Sequence, residues 1–475
     1  MSAQNQHEKG RFPMLDKKIM SDLIAIVLHG GADFVEVYSE HTKMDAISYS
    51  NRKIETVSDR VVSGVGIRAF VGTNTYFACT TDLSESGLKE CANRVAQAVG
   101  SVVDRIPDFY LAQRINTNIH PIKVLPSDVP AKVRADLLRS ACSTAYDADS
   151  QIIQVAGNLM CEDKQFVVAN SEGLYTGDRQ VRTRIAVSAV ASNGTENQSG
   201  SASPGRSMGW ELFDSIVDPK QVGAEAARQA LVNLKAVPCP SGKMTVAIEN
   251  GFGGVIFHEA CGHSLEATSV GIGMSQMAGR MGQQIANPKV TAIDDGTIPN
   301  AWGSCNIDDE GNPMVCRTLI KDGILTSYMI DRLGSRRMGM AHTASGRRQS
   351  YAFEPTSRMT NTYIANGPDK NEDIIASIDN GIYCAAMGGG SVNPFTGAFN
   401  FSVREGYMIR NGKICEPIRG ASLIGTGSEI LHQIDMVGQN MDTAQGMCGS
   451  SSGSVPTDVG QPLIRVSDIT VGGQG

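Results

Sequence analysis

Phe257-His258-Glu259-Ala260-Cys261-Gly262-His263-Ser264-Leu265-Glu266, entered through the glycine-rich Asn250-Gly251-Phe252-Gly253-Gly254, brings two imidazoles and a carboxylate together on a short piece of chain. Neutral imidazole nitrogen is a preferred zinc ligand, and a carboxylate beside bound water can take its proton. The stretch therefore points to a metal-dependent hydrolase, and its spacing constrains the local fold. Histidines four apart share one face of an α-helix, but these lie five apart, and an ideal helix would rotate them by about 140° from each other. A wider turn, such as a single π-bulge with i to i+5 bonding, realigns them. Gly262, just before the second histidine, has the backbone freedom to accept the distortion. A bulged or broken helix turn is predicted here.

Two histidines leave the site incomplete, because zinc normally takes three protein ligands and keeps the fourth position for water. The candidates for the third are Cys261 inside the motif, Glu266 one turn later, the distant His342 and His432, and several cysteines. Among these, Cys448 has a loop context that suits a ligand, Gln445-Gly446-Met447-Cys448-Gly449-Ser450, with glycine on both sides. Glu266 is also suited to orienting a ligating histidine through its second ring nitrogen.

Working outward, 475 residues exceed the size at which one core usually stops growing, so two domains are expected. A hydrophobic fraction of 41% allows proper cores, and a net charge of −7 with pI near 5.7 argues against nucleic-acid or anionic-membrane partners. The first residues lack the apolar core of a signal peptide, and no stretch is long and apolar enough to span a bilayer, so a cytoplasmic protein is expected. Eleven cysteines without a Cys-x-x-Cys pair fit reduced, mostly buried thiols.

Residues 1–13 read as a flexible tail. Helical spacing is predicted from Asp16 to Leu28, from Leu83 to Val99 with Ser84 as N-cap, from Ala131 to Tyr146, and from Asp218-Pro219 to Ala236. Strands are predicted at Phe34 to Tyr38, Asp45 to Val57, Ser63 to Val71 with Asn74 to Cys79 continuing, Ile152 to Cys161, Gln165 to Ala169 and Gln180 to Ala191. Turns are expected at Glu162-Asp163 and Ser171-Glu172-Gly173, and a mobile loop over Ser192 to Gly209. Pro238-Cys239-Pro240-Ser241-Gly242 marks the domain boundary. Beyond it, Asp322-Gly323, Asn411-Gly412 and Asn380-Gly381 are hairpin candidates. The predicted fold is α+β. An N-terminal α+β domain, residues 14–238, carries an antiparallel sheet with flanking helices; a C-terminal domain, residues 239–475, is mainly antiparallel β with a few helices, including the distorted metal-binding helix.

If the motif is a site, His258 and His263 bind metal and Glu259 activates water; the bland alternative is a packed helix histidine pair. Asp308-Asp309-Glu310-Gly311 and Asp294-Asp295-Gly296 read as tight turns, because neither has the ligand spacing of a calcium loop. Arg347-Arg348 and Arg358 could pair with a substrate carboxylate or backbone oxygen, although a structural role is the commoner one for any single arginine. Gly388-Gly389-Gly390 lacks the Lys-Ser/Thr of a phosphate loop and better suits a peptide backbone lying along a sheet edge.

Several separate blocks carry a resemblance: the His258 to Glu266 motif, Gly346-Arg347-Arg348-Gln349-Ser350-Tyr351, Arg358-Met359-Thr360-Asn361-Thr362, Gly389 to Gly397, Val403-Arg404-Glu405-Gly406-Tyr407 and Met447-Cys448-Gly449. Gly31-Ala32-Asp33 and Gly64-Val65-Gly66-Ile67-Arg68 extend it to the N-terminal half. Together they are similar to the TldD/PmbA family of zinc metallopeptidases, in particular its catalytic TldD-like branch. The resemblance implies zinc held by His258, His263 and Cys448, with Glu259 as general base. It also implies hydrolysis of small or unfolded peptides held in extended form. Gly388, Gly389, Gly390, Arg347 and Arg404 are the candidate substrate-binding residues. The expected assembly is a homodimer or a heterodimer with a motif-less TldE/PmbA-like paralogue. Cys261 inside the motif, and Ser450-Ser451-Ser452 where a basic residue is expected, depart from the family pattern. The rival reading is a non-catalytic peptide-binding or protein-modulating module on the same fold.

Overall fold

Asn51 and Arg52 both take positive φ, 48° and 61°, and turn the chain sharply between two long strands, Phe34–Ser50 and Lys53–Val71. A two-residue turn with both central residues left-handed matches the twist of the strands it joins. The sequence pattern predicts a strand running through this dipeptide; the structure makes it the hairpin tip. The computed structural model describes residues 15–393 and 396–473. The expected tail, residues 1–13, lies outside them, as do Pro394 and Phe395.

The first hairpin pairs from Phe34 opposite Phe70 to Ser50 opposite Lys53. A second, Ile152–Asn170 with Leu174–Ser192, lies beside it and closes on the expected Ser171–Gly173 turn, with Gly173 at φ 94°. Glu162 and Asp163, predicted as a turn, instead sit inside a strand, Glu162 facing Met44 on one side and Arg182 on the other. Long neighbours on both sides satisfy the backbone there, which outweighs the local turn preference of two acidic residues. Ser192 to Gly209 is likewise not a loop. It contributes the strand Asn197–Ala202, paired with residues 187–192, and Gly200 lets it press against the helix Pro219–Leu234, where a Cβ would lie 2.3 Å from the Ala226 carbonyl oxygen.

The four predicted helices form as Lys17–His29, Glu85–Val99, Ala131–Asp147 and Pro219–Leu234. Asp16, Ser84 and Asp218 cap three of them, each accepting a backbone N–H with its side chain. These helices cover one face of the N-terminal sheet. Met20, Leu23 and Leu88 meet Val35, Val37 and Ile67 at one end, and Leu138 and Ala226 meet Leu159 and Val187 at the other.

The opposite face, carrying Glu36, Tyr38 and Glu40, is covered by the C-terminal half, so the start of Phe34–Ser50 is buried on both sides. Burying acids there requires partners. Arg68 bridges Glu36 at 2.9 Å and Glu310 at 2.6 Å, Arg348 reaches Glu36 at 2.5 Å, and Tyr351 N–H donates to Glu40 at 2.9 Å. Asp308 to Gly311 is the expected tight turn, with Gly311 N–H donating to the Asp308 carbonyl at 3.0 Å and Gly311 at φ 86°. Asp294 and Asp295 correct the other turn prediction: they end the strand Ala292–Asp295, and the turn follows, where Asp295 accepts from Thr297 N–H at 2.8 Å.

The C-terminal half has an eight-stranded and a six-stranded sheet, antiparallel apart from three parallel pairings, which completes the α+β fold. Val237–Pro238 already pairs with Ile418 and Arg419 in it. Asp322-Gly323 and Asn411-Gly412 are hairpin tips as expected, joining Lys321 to Ile324 and Arg410 to Lys413. Asn380-Gly381 is not. It opens the strand Asn380–Val392, because the partner across from it is Arg410 rather than its own chain doubling back.

Candidate metal centre

The glycines ahead of the motif create the space into which it folds. A Cβ at Gly254 would lie 2.3 Å from the backbone nitrogen of Gly460, and one at Gly253 2.7 Å from the Gln461 amide, so this turn can press directly on the strand Gly453–Gln461. The motif helix, Val255–Ala260, is short. It breaks at Cys261 (φ −129°, ψ −41°) and resumes as a 3₁₀ turn over Gly262–Leu265. The five-residue spacing is thus solved by a break rather than a π-bulge. Gly262 serves it by size rather than by backbone freedom, since a Cβ would meet the Met359 sulfur at 2.3 Å.

His258 and His263 end with their rings 5.2 Å apart and nearly perpendicular, at 88°. Cys448 arrives from the far end of the chain, its Sγ 3.2 Å from His258 Nε2 and 3.3 Å from His263 Nε2. It lies in the strand Asp442–Ser450, not in a loop; its flanking glycines are ladder residues, paired with Thr457 and Ser454. Tetrahedral zinc, at about 2.0–2.1 Å from nitrogen and 2.3 Å from sulfur, separates its ligand atoms by roughly 3.5 Å, so these three fit such an ion. They form the one group of His, Cys, Asp and Glu side chains among the described residues close enough to share a metal. His342, His432 and Cys261 lie outside this group. Cys261 packs in the apolar core, where burial pushes its thiol up to about 12.

The three side chains are electrostatically coupled, and a metal ion bound there would displace the proton they share. Burial alone would raise the Cys448 thiol, but attraction to His258 and hydrogen bonds to both imidazoles hold it down at about 3, which favours the thiolate. Burial opposes charge on His263, yet Glu266 and Cys448 outweigh it and hold the imidazole well above its ordinary value. Glu266 Oε2 lies 3.1 Å from His263 Nδ1, which leaves Nε2 for the metal side, the orienting role expected of this residue. Glu259 Oε2 is 3.6 Å from His263 Nε2, with its side chain 27% exposed, so the carboxylate borders the centre and still reaches solvent.

The arginines of the motif blocks sit elsewhere in the design. Arg347 is buried and donates to the carbonyls of Met359 and Pro456, at 2.6 and 2.8 Å, and Arg348 pairs with Glu36. Arg358 is buried and donates to the Cys448 carbonyl, to Ser452 Oγ and to the Gly453 carbonyl. Arg404 is exposed on the strand Ala398–Arg410. Gly388 and Gly390 face that strand so closely that a Cβ would lie 2.3 Å from Ser402 Oγ or 2.2 Å from the Asn400 oxygen, whereas Gly389 is open. On the other side of Asn380–Val392, the strand Gly242–Ile248 pairs only as far as Cys384. Past that point the outer edge carries no strand among the described residues, and the motif helix packs against the same strand.

Three family models cover the chain in succession: PmbA/TldA metallopeptidase domain 1 over residues 35–99, the central domain over 125–234 and the C-terminal domain over 241–473. The chain belongs to the TldD/PmbA metallopeptidase family. The Haemophilus influenzae metalloprotease TldD homolog is 35% identical to this TldD/PmbA protein over 97% of both chains. A Methanothermobacter thermautotrophicus metalloprotease is 30% identical over 93% of this chain and 96% of its own. The zinc metalloprotease TldD homolog of Saccharolobus solfataricus is 25% identical over 93% and 97%. The fold matches the crystal structure of a putative modulator of a DNA gyrase from Thermotoga maritima, with TM-score 0.78 at 19% identity, covering 96% of this chain and 100% of that one. It also matches TldE from Thermococcus kodakarensis, with TM-score 0.74 at 18% identity, covering 95% and 99%. No described helix is long and apolar enough to cross a membrane.

Proposed function

We propose that this chain is a zinc-dependent peptidase that hydrolyses peptide bonds in small or unfolded peptides bound in extended form. The carrying observation is the convergence of His258 Nε2, His263 Nε2 and Cys448 Sγ at one point, with the Glu259 carboxylate beside it. When bound there, zinc supplies Lewis-acid chemistry, acidifying water and polarising a carbonyl. Glu259 acts as the general base, accepting a proton from water and delivering it to the leaving amine. The curated relatives named as metalloproteases support the reaction class, and the one named a zinc metalloprotease supports the choice of ion.

The substrate backbone adds as a strand along the outer edge of Asn380–Val392 beyond Cys384, past Gly388, Gly389 and Gly390, with Arg404 on the neighbouring strand. Main-chain pairing is common to all peptides, so sequence preference is weak. Arg347, the remaining candidate, is buried and already donates to two backbone carbonyls. The protein works in the cytoplasm as a homodimer or paired with a motif-less TldE-like paralogue; the shared fold with the solved TldE supports such a pairing.

The test measures metal by elemental analysis, and cleavage of a flexible peptide by wild type and Glu259→Gln, each alone and with a paralogue. Bound zinc with cleavage abolished in the variant is expected. Peptide binding insensitive to chelators, with no metal and no cleavage, would instead establish the non-catalytic reading.

A further inference from the structure

Asp442–Ser450 is the outer strand of the six-stranded sheet and, among the described residues, pairs only with Gly453–Gln461. A strand with one ladder has its position fixed on one side only, yet this one must hold the Cys448 sulfur to within a few tenths of an ångström. Donors from outside the sheet supply the missing restraint. The Trp302 indole N–H donates to the Gly446 carbonyl at 2.9 Å, and the Arg358 guanidinium donates to the Cys448 carbonyl itself. Arg358 Nη1 also grips the hairpin tip, through Ser452 Oγ and the Gly453 carbonyl, both at 2.9 Å. Its Nε faces the other way, 4.0 Å from Glu266 Oε1, and neither of these buried atoms has a hydrogen-bond partner among the described residues. Glu266 in turn holds His263 by its other oxygen. One buried, permanently charged fork therefore hydrogen-bonds the backbone of the candidate thiolate ligand and lies within ion-pair distance of the carboxylate beside His263.

Resting on the metal-centre reading above, we propose that Arg358 is the positioning residue of the triad, fixing Cys448 and the Glu266–His263 pair relative to each other so that the site is preformed for metal. Its effect runs through geometry, since it touches neither the ligand atoms nor the place of a substrate. Removing such an outer partner typically lowers metal affinity by about 10- to 100-fold.

The experiment titrates Co²⁺ into metal-free full-length protein and reads the apparent Kd together with the thiolate-to-cobalt charge-transfer absorption. The variants are Arg358→Lys, Ser452→Ala and the double substitution, with far-UV circular dichroism and the Tm of the metal-free proteins as controls. Lysine keeps the charge but cannot fork to two carbonyls and a hydroxyl while facing Glu266. The expected result is affinity lowered about tenfold or more in Arg358→Lys and a weaker charge-transfer band. Ser452→Ala should lose less, and the double variant little more than Arg358→Lys, because both changes act on one contact. A folded Arg358→Lys protein with wild-type cobalt affinity and an unchanged band overturns the inference, since a merely structural arginine would lower Tm alone. Should Arg358→Lys fail to fold, Ser452→Ala decides: reduced affinity supports the inference and unchanged affinity overturns it. A wild type that binds cobalt without a thiolate band removes the metal-centre reading, and this inference with it.

Discussion

Glu36→Gln is a probe of how the N-terminal sheet supports a centre lying in the other half of the chain. Glu36 is buried between two arginines, Arg68 at 2.9 Å and Arg348 at 2.5 Å, and both guanidiniums have almost no solvent of their own. Burial raises its carboxyl, but Arg68 and Arg348 outweigh that and hold it below the ordinary value of 4.5. Glutamine keeps the shape and removes the charge, so Arg348 loses its 2.5 Å carboxylate partner and keeps only the more indirect attraction of Asp309. Breaking a buried pair by removing one partner costs about 3–5 kcal/mol. The consequence extends beyond stability: Arg348 lies between Arg347, which holds the Pro456 carbonyl, and Gln349, whose N–H donates to the Ser452 carbonyl, so loosening it releases the hairpin that carries Cys448. Chemical denaturation at pH 7, followed by circular dichroism and by limited proteolysis, measures the cost. Because the folded pKa is depressed, the stabilisation is complete above about 4.5 and is lost as pH falls through the folded value. The difference between wild type and variant must therefore shrink on acidification. A loss below about 1 kcal/mol at pH 7, or a difference that grows in acid, would refute the claim that this ion cluster ties the halves together.

Asp45→Asn should change the pH dependence in the opposite sense. Burial, and then Asp59 beside it, raise Asp45 to about 6, so the native state keeps a proton that the unfolded state has lost, and stability falls as pH rises from about 4 to 6. The variant should be stabilised relative to wild type at pH 8 and less so at pH 4.5, read by denaturation at both. Gly254→Ala puts a Cβ 2.3 Å from the Gly460 backbone, and the displaced motif helix should cost about 1–3 kcal/mol and lower metal occupancy, checked by Tm and elemental analysis. Added zinc should raise the Tm of wild type, by about 2.7 kcal/mol of stabilisation at a hundredfold excess over Kd, and a chelator should reverse it; Cys448→Ser should show a much smaller shift.

The clustering of the motif's histidines and glutamate was legible because a five-residue spacing within one short stretch is a local property. The capped helices were legible for the same reason: Asp16, Ser84 and Asp218 each answer a donor within three residues. Other residues gave wrong local signals. Glu162 and Asp163 look like a turn until neighbours on both sides claim them, and Ser192 to Gly209 looks like a loop until a strand beside it and a helix against Gly200 supply partners.

By itself the amino-acid sequence pointed to an α+β chain and to an imidazole pair that would need a third ligand to hold zinc, and the family blocks pointed to Cys448. Only the tertiary structure decided that the helix breaks at Cys261, that Cys448 lies on an edge strand beside both histidines, and that Arg358 donates to the Cys448 carbonyl. Those facts depend on contacts between residues some 90 to 190 positions apart, such as Arg358 with Cys448 and His258 with Cys448. A local pattern records what a side chain can do, whereas the free energy that places it beside a distant partner comes from burying both against the rest of the fold.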